Sequence, residues 1–155
     1  MIVLKDEIAI NAPPSKLVEW FSHIDERYRE WHPEHILARY TRGTPFEEDS
    51  ILYFEEYLGK PKYKFRFLVT KVEPDRRMEY KILFPYTLLN SRGSFTIEKQ
   101  GEGTLFTAVV SVGWGGAVGK LLDRIFWLFG GGRLREIRRH MADEGVNMKK
   151  LMEGK

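Results

Sequence analysis

The sequence predicts an α+β fold: a seven-stranded antiparallel sheet wrapped around a long C-terminal helix, with a cavity between them. Three observations lead there. Between residues 35 and 112 apolar side chains alternate with polar ones in six segments separated by short turns, so successive strands pair antiparallel rather than through crossovers. A further strand and two short helices precede these segments. At the C-terminus the apolar spacing becomes helical and gathers on one stripe, which must be buried against the sheet.

The elements follow in chain order. Residues 2–10, rich in Ile, Val and Leu, read as the first strand. Ala12-Pro13-Pro14-Ser15 stops it and starts a helix, because proline is tolerated in a first helical turn, where its missing N–H has no partner to lose. Leu17, Val18, Trp20 and Phe21 give that helix its apolar face. A second short helix spans about Asp25–Trp31 and ends before Pro33, since proline disfavours helical backbone in the residue before it. Strands are expected at 35–42, 50–58, 62–73, 77–84, 93–99 and 103–112, with turns at Gly43-Thr44-Pro45, Gly59-Lys60-Pro61, Pro74-Asp75 and Gln100-Gly101-Glu102-Gly103. KLLDRIFWLF (120–129) reads as a short apolar helix, Gly130-Gly131-Gly132 as a hinge, and Arg133–Met152 as a helix of about five turns.

Composition bounds the function. At 155 residues the chain suits one domain, 1–155, able to bury a core without disulfides or a structural metal. Lys and Arg number 25 against 22 Asp and Glu, interleaved throughout, so no basic face marks a nucleic-acid binder. No cysteine is present, which removes thiol nucleophiles and thiolate metal sites and leaves His, Asp and Glu as ligands. Lys5, Asp6 and Glu7 interrupt the N-terminal apolar run, so no signal peptide is expected, no segment is apolar enough to span a membrane, and the cytoplasm is the expected compartment.

Three segments carry candidate chemistry. On the last helix, at about 100° per residue, Leu134, Ile137, Met141, Met148 and Leu151 form the inward stripe, and His140 and Glu144 fall within it, one turn apart. An imidazole and a carboxylate so spaced reach one ion, or simply hydrogen-bond to each other at a helix edge. If Gly59-Lys60 closes a two-residue turn, Glu56 lies opposite Tyr63, Phe54 opposite Phe65, and Glu55 opposite Lys64. Glu56 then points among aromatic side chains, where a carboxylate needs a metal, a base or a strong hydrogen bond. A slip of one residue would exchange the roles of Glu55 and Glu56. Third, Trp31-His32-Pro33-Glu34-His35 puts two of the four histidines at a helix–strand junction, as ligands or as a solvated helix end. Together these residues suit Zn²⁺, with Mn²⁺ or Fe²⁺ as alternatives.

IAINAPPSKLVEWFSHIDERYREWHPEHI resembles the opening of the START/pollen-allergen-like helix-grip superfamily, SRPBCC: a strand, an Ala-Pro helix start, and an aspartate after the first helix, here Asp25. The strand series and terminal helix extend the likeness over essentially the whole chain. Within that superfamily WHPEH, FEEYLGK and HMADE resemble the 2,4-diacetylphloroglucinol and phloretin hydrolases. That resemblance implies zinc held by His140 and Glu144 from the last helix, by Glu56 (or Glu55) from a strand, and by His35 or His32. The imidazole that is not a ligand, His32 if His35 binds, would protonate the ring carbon when the acyl–ring bond breaks. Those hydrolases are longer, with an N-terminal region that has no counterpart here, so their substrate and subunit contacts do not carry over.

Other features are plainer. The Arg133, Arg135, Arg138 and Arg139 cluster reads as a solvated helix face or an entrance for anions. KLLDRIFWLF with Trp114 reads as a cavity lid or core, a homodimer contact or a membrane-surface helix. GWGG and GGG lack the context of a phosphate loop. Besides the hydrolase, two functions fit the same cavity: a carrier or sensor of an apolar or aromatic small molecule or lipid, and a metal-free polyketide cyclase or dehydratase.

Overall fold

In the computed structural model the described residues are 1–84 and 90–154. In the last helix the side chains at 117, 118, 121–123 and 125–131 fall outside the description. The chain runs β1 (Ile2–Ile10), α1 (Pro14–Ser22), α2 (Ile24–Trp31), β2 (His35–Arg42), β3 (Ile51–Tyr57), β4 (Lys62–Glu73), β5 (Arg77–Ile82), β6 (Arg92–Gln100), β7 (Gly103–Val112) and α3 (Gly116–Glu153). The seven strands form one antiparallel sheet in the order β1-β7-β6-β5-β4-β3-β2. Only β1 breaks the sequential meander, pairing with β7 at the far end. The short turns impose this: each hairpin lays a strand beside the one before it.

The main core forms where α1 and α2 press on the inner face of the sheet. Leu17, Trp20, Phe21, Ile24, Tyr28 and Trp31 are buried against Leu52, Phe54, Ile97 and Phe106. Perpendicular ring pairs, such as Trp20 on Trp31 at 5.5 Å and Phe21 on Trp31 at 5.5 Å, lock the two helices together. The α3 stripe is buried as expected at Leu134, Met141 and Met148, and extends to Met152. It seats against β1, where a Cβ added to Gly145 would lie 2.5 Å from the Asp6 carboxylate, so only glycine lets helix and strand approach this closely.

One expectation is corrected. Gly130-Gly131-Gly132 is not a hinge: α3 continues through it as a single helix of 38 residues. Glycine costs about 1 kcal/mol per residue in a helix interior, but it can still donate and accept the helical hydrogen bonds. The triplet therefore weakens the helix without ending it. The lid, dimer-contact and membrane-surface readings of KLLDRIFWLF rest largely on side chains outside the described residues. Among the described residues no helix is long and apolar enough to cross a membrane.

Candidate functional site

Between the inner face of the sheet and α3 lies a cavity of about 840 Å³. Its wall is aromatic, with Trp31, Phe54, Phe65, Phe67, Tyr80 and Phe95, and it also carries Glu56, His140 and Glu144, with His35 packed directly behind them. Three elements bring them there.

The β3–β4 register matches the expected turn, with Glu56 opposite Tyr63, Phe54 opposite Phe65 and Glu55 opposite Lys64. Glu56 therefore faces the interior. Glu55 faces out, 2.5 Å from Lys62 Nζ and 2.6 Å from the Tyr53 hydroxyl that donates to it. On the other side of β3, His35 is the ladder partner of Glu56, and a bulge follows at once between His35 and Leu37. His35 and Glu56 thus lie side by side on one face. α3 supplies His140 and Glu144, and the Trp31 indole N–H, donating to the Glu144 carbonyl at 3.0 Å, ties α2 to that turn of the helix.

His35 Nε2 lies 3.2 Å from His140 Nε2, 3.0 Å from Glu144 Oε1 and 3.8 Å from Glu56 Oε2. His140 Nε2 lies 3.7 Å from Glu144 Oε1 and 3.9 Å from Glu56 Oε1. Which protons these groups carry follows from their outer partners. His35 Nδ1 is 3.0 Å from the Tyr28 carbonyl, which can only accept, so Nδ1 holds the proton and Nε2 presents a lone pair. His140 Nδ1 faces the Glu34 carboxylate at 3.0 Å and donates to it, which leaves its Nε2 as a second lone pair. Burial, chiefly, keeps His35 below the usual histidine range and so neutral. On this arrangement no proton lies between the two imidazoles, and the Glu144 and Glu56 carboxyls sit beside the two nitrogens. The separations bracket the edge of about 3.3 Å expected for nitrogen and oxygen donors around a zinc ion bonded at 2.0–2.1 Å. The donor set fits a divalent cation.

Electrostatics agree. Burial, opposed by His140 and reinforced by Asp6, pushes the Glu144 carboxyl up to about 7. Burial also raises Glu56, with Glu144 adding to the rise and His140, His35 and the Tyr28 hydrogen bond opposing it. Tyr28 donates its hydroxyl to Glu56 and stacks on the His35 ring, with centres 3.8 Å apart and planes at 7°. Burial and the neighbouring carboxylates hold this phenol well above the usual tyrosine range, so it stays protonated.

His32 takes a different place. Its Nδ1 accepts the Glu34 backbone N–H at 3.0 Å, so its proton is on Nε2, which lies 3.9 Å from Asp143. Its ring packs 4.3 Å from that of His140, and one of its nitrogens lies within 4.8 Å of nitrogens of both His35 and His140, so the three buried imidazoles form one cluster of potential metal ligands; like His35, it does not itself line the cavity. Of the arginine cluster, Arg133 and Arg139 line the mouth, and Arg139 bridges Glu34 and Glu136. Two participants went unassigned in the sequence reading. Glu34 lies between the two histidines of WHPEH, and Tyr28 lies within the second short helix. The parity of Tyr28 with Trp31 on one face of α2 was the available signal.

A family model described as polyketide cyclase / dehydrase and lipid transport matches residues 1–146. No curated protein matches the chain. Among solved structures, the KanY protein superposes with a TM-score of 0.71 at 16% identity, over 98% of this chain and 97% of its own. The Aha1 dimer from Colwellia psychrerythraea gives 0.64 at 17%, over 99% and 97%. Major latex-like protein 151 from Panax ginseng gives 0.62 at 13%, over 90% and 96%. At these identities the likeness is one of fold. The narrower likeness to the diacetylphloroglucinol hydrolases rests on the residue motifs alone.

Proposed function

The chain belongs to the polyketide cyclase/dehydrase and lipid-transport family, and from that premise we propose that it binds a flat, largely apolar carbonyl compound and hydrolyses an acyl–ring carbon–carbon bond in it, using a divalent metal held by His35, Glu56, His140 and Glu144. The observation that carries this reading is the pair of imidazole Nε2 atoms 3.2 Å apart, flanked by two largely buried carboxyls. A carrier of apolar ligands gains nothing from such a group, and burying it without a cation is costly.

A divalent ion on these four side chains supplies a Lewis acid for a carbonyl oxygen and activation of water near neutral pH. The rest is done by the chain itself. Phe54, Phe65, Phe67 and Phe95 exclude water and hold the ring of the ligand flat. Glu34 fixes the tautomer and orientation of His140 through Nδ1, and the Tyr28 carbonyl does the same for His35. In the proposed reaction the acyl–ring bond breaks, the hydroxyl of water ends on the acyl carbon, and a hydrogen ends on the ring carbon. Tyr28 is the hydroxyl that the cavity wall presents: its proton passes to the ring carbon, and the proton released from water returns to it by way of Glu56, to which it is hydrogen-bonded. This assigns to Tyr28 the proton delivery expected of His32, whose nitrogens are turned to the Glu34 backbone and toward Asp143.

The family match favours a second reading, in which the same cavity carries a ligand or runs a cyclase or dehydratase reaction without metal. The two separate cleanly. Protein stripped with chelator is reloaded with Zn²⁺, Mn²⁺ or Fe²⁺ and its metal content measured beside a His140→Ala/Glu144→Ala variant. Stoichiometric metal in the wild type and none in the variant is expected. Equal, near-zero metal in both, or ligand turnover that persists in strong chelator, overturns the metal reading and leaves the second.

A further inference from the structure

Tyr80 lies on the inner face of β5, 4% exposed, in the wall of the cavity. Its ring stacks on Phe67 with centres 4.2 Å apart and planes at 7°, and it contacts Phe95 at 5.6 Å. Across the ladder its partner is Gly93, and a Cβ added there would collide with the tip of the phenol, its Cζ and Oη. β6 thus leaves open the space that lets the ring lie flat with its hydroxyl over the backbone. Among the described residues that hydroxyl makes no hydrogen bond, yet it is not one of the sealed, unpartnered polar atoms, so it opens on the cavity. Packing alone asks for phenylalanine here. A phenol hydroxyl placed in an aromatic wall without a protein partner is a cost to the fold that a ligand oxygen would offset. The other tyrosine at the deep end, Tyr28, is already committed to Glu56.

We propose that Tyr80 is the specificity-determining donor of the cavity: its hydroxyl hydrogen-bonds an oxygen substituent of a flat aromatic ligand, selecting ring ketones and phenols over hydrocarbons of the same shape. This rests on the ligand-binding part of the reading above and not on the metal. Burial and the Glu144 and Glu56 charges hold the phenol far above its ordinary range, so it is a donor at any working pH. The Gly93 gap and the Phe67 stack fix its direction, so the selectivity comes from one preorganised bond rather than from pocket shape.

The test uses the full chain in chelator, so that no ion competes for the ligand oxygen, and two probes of nearly equal shape: 2-acetylnaphthalene and 2-ethylnaphthalene. Affinities are read by tryptophan quenching and by calorimetry for the wild type and Tyr80→Phe. That substitution keeps the ring and its stack. The wild type should prefer the ketone, and Tyr80→Phe should weaken the ketone by about 5- to 10-fold while leaving the hydrocarbon within about twofold, as expected for one neutral hydrogen bond. Gly93→Ala, which forces the phenol from its seat, should reproduce the lost preference with the hydroxyl still present. An equal loss for both probes, an unchanged ketone affinity, or no ketone preference in the wild type overturns the proposal. Because no metal is present, these outcomes leave the metal reading to its own experiment.

Discussion

Replacing Glu144 by glutamine should make the metal-free protein more stable, and only above a certain pH. The folded structure raises this carboxyl from 4.5 to about 7, chiefly by burial. A carboxyl whose folded pKa lies above its unfolded value is held protonated more tightly by the native state. Stability is therefore untouched below about pH 4.5, falls as pH climbs between the two values, and carries the full cost above about 7. At roughly 1.4 kcal/mol per pH unit that cost reaches about 3 kcal/mol. Glutamine keeps the shape and removes the charge. In chelator at pH 8.5 the variant should melt about 6–12 °C above the wild type, at the roughly 2–4 °C per kcal/mol of a chain this size. At pH 4.5 the two should melt within a degree or two of each other, about the size of a small surface effect. Metal should reverse the order at high pH, since it binds the native state and needs the carboxylate. Thermal melts across that pH range decide the matter. A Gln variant no more stable than wild type at pH 8.5, or one equally stabilised at both pH values, would show that Glu144 carries no buried charge and that the electrostatic reasoning is wrong.

Glu34→Ala should lower metal affinity by about 10- to 100-fold, and Glu34→Gln by less, because the glutamine oxygen still accepts from His140 Nδ1; competition with a chromophoric chelator measures both. Tyr28→Phe should cut turnover of an acyl-phenol substrate by about 10²- to 10⁴-fold in steady-state assays at saturating metal, more than the roughly 10- to 100-fold that loss of the hydrogen bond to Glu56 would take from metal affinity, so the excess measures proton delivery. Gly145→Ala should cost about 1–3 kcal/mol by driving α3 off Asp6 on β1, read as a lower midpoint in urea. Met148→Ala, at a fully buried position on the same stripe, should cost about 2–5 kcal/mol by the same measurement.

Much of this was legible because strand and helix periodicities are local. Tyr63, Phe65 and Phe67 alternate with lysine and arginine, and a two-residue turn at Gly59-Lys60 puts Glu56 inward; the one-residue slip that would exchange it with Glu55 is ruled out only by the observed register. Likewise the spacing of His140 and Glu144 placed them on one face of α3. What stayed open were choices made by a bulge or by distant packing. Between His32 and His35 the sequence offers no local preference. The ladder sets His35 beside Glu56, while the Glu34 N–H occupies His32 Nδ1 and leaves its Nε2 facing Asp143, placements that only the folded chain makes. The three glycines read as a hinge because glycine lowers local propensity, yet propensity is a small term beside the packing of the rest of the helix.

The residues by themselves determined the order of the strands and the first two helices, the antiparallel meander and the inward stripe of the last helix, since each depends on neighbours a few positions away. Only the tertiary structure decided that β1 closes against β7, that Asp6 lies against Gly145, that Glu34 reaches His140, and that the Tyr80 hydroxyl opens on the cavity. Those contacts join residues far apart in the chain. Their energies arise only when separate elements dock, so no periodicity or spacing along the sequence encodes them.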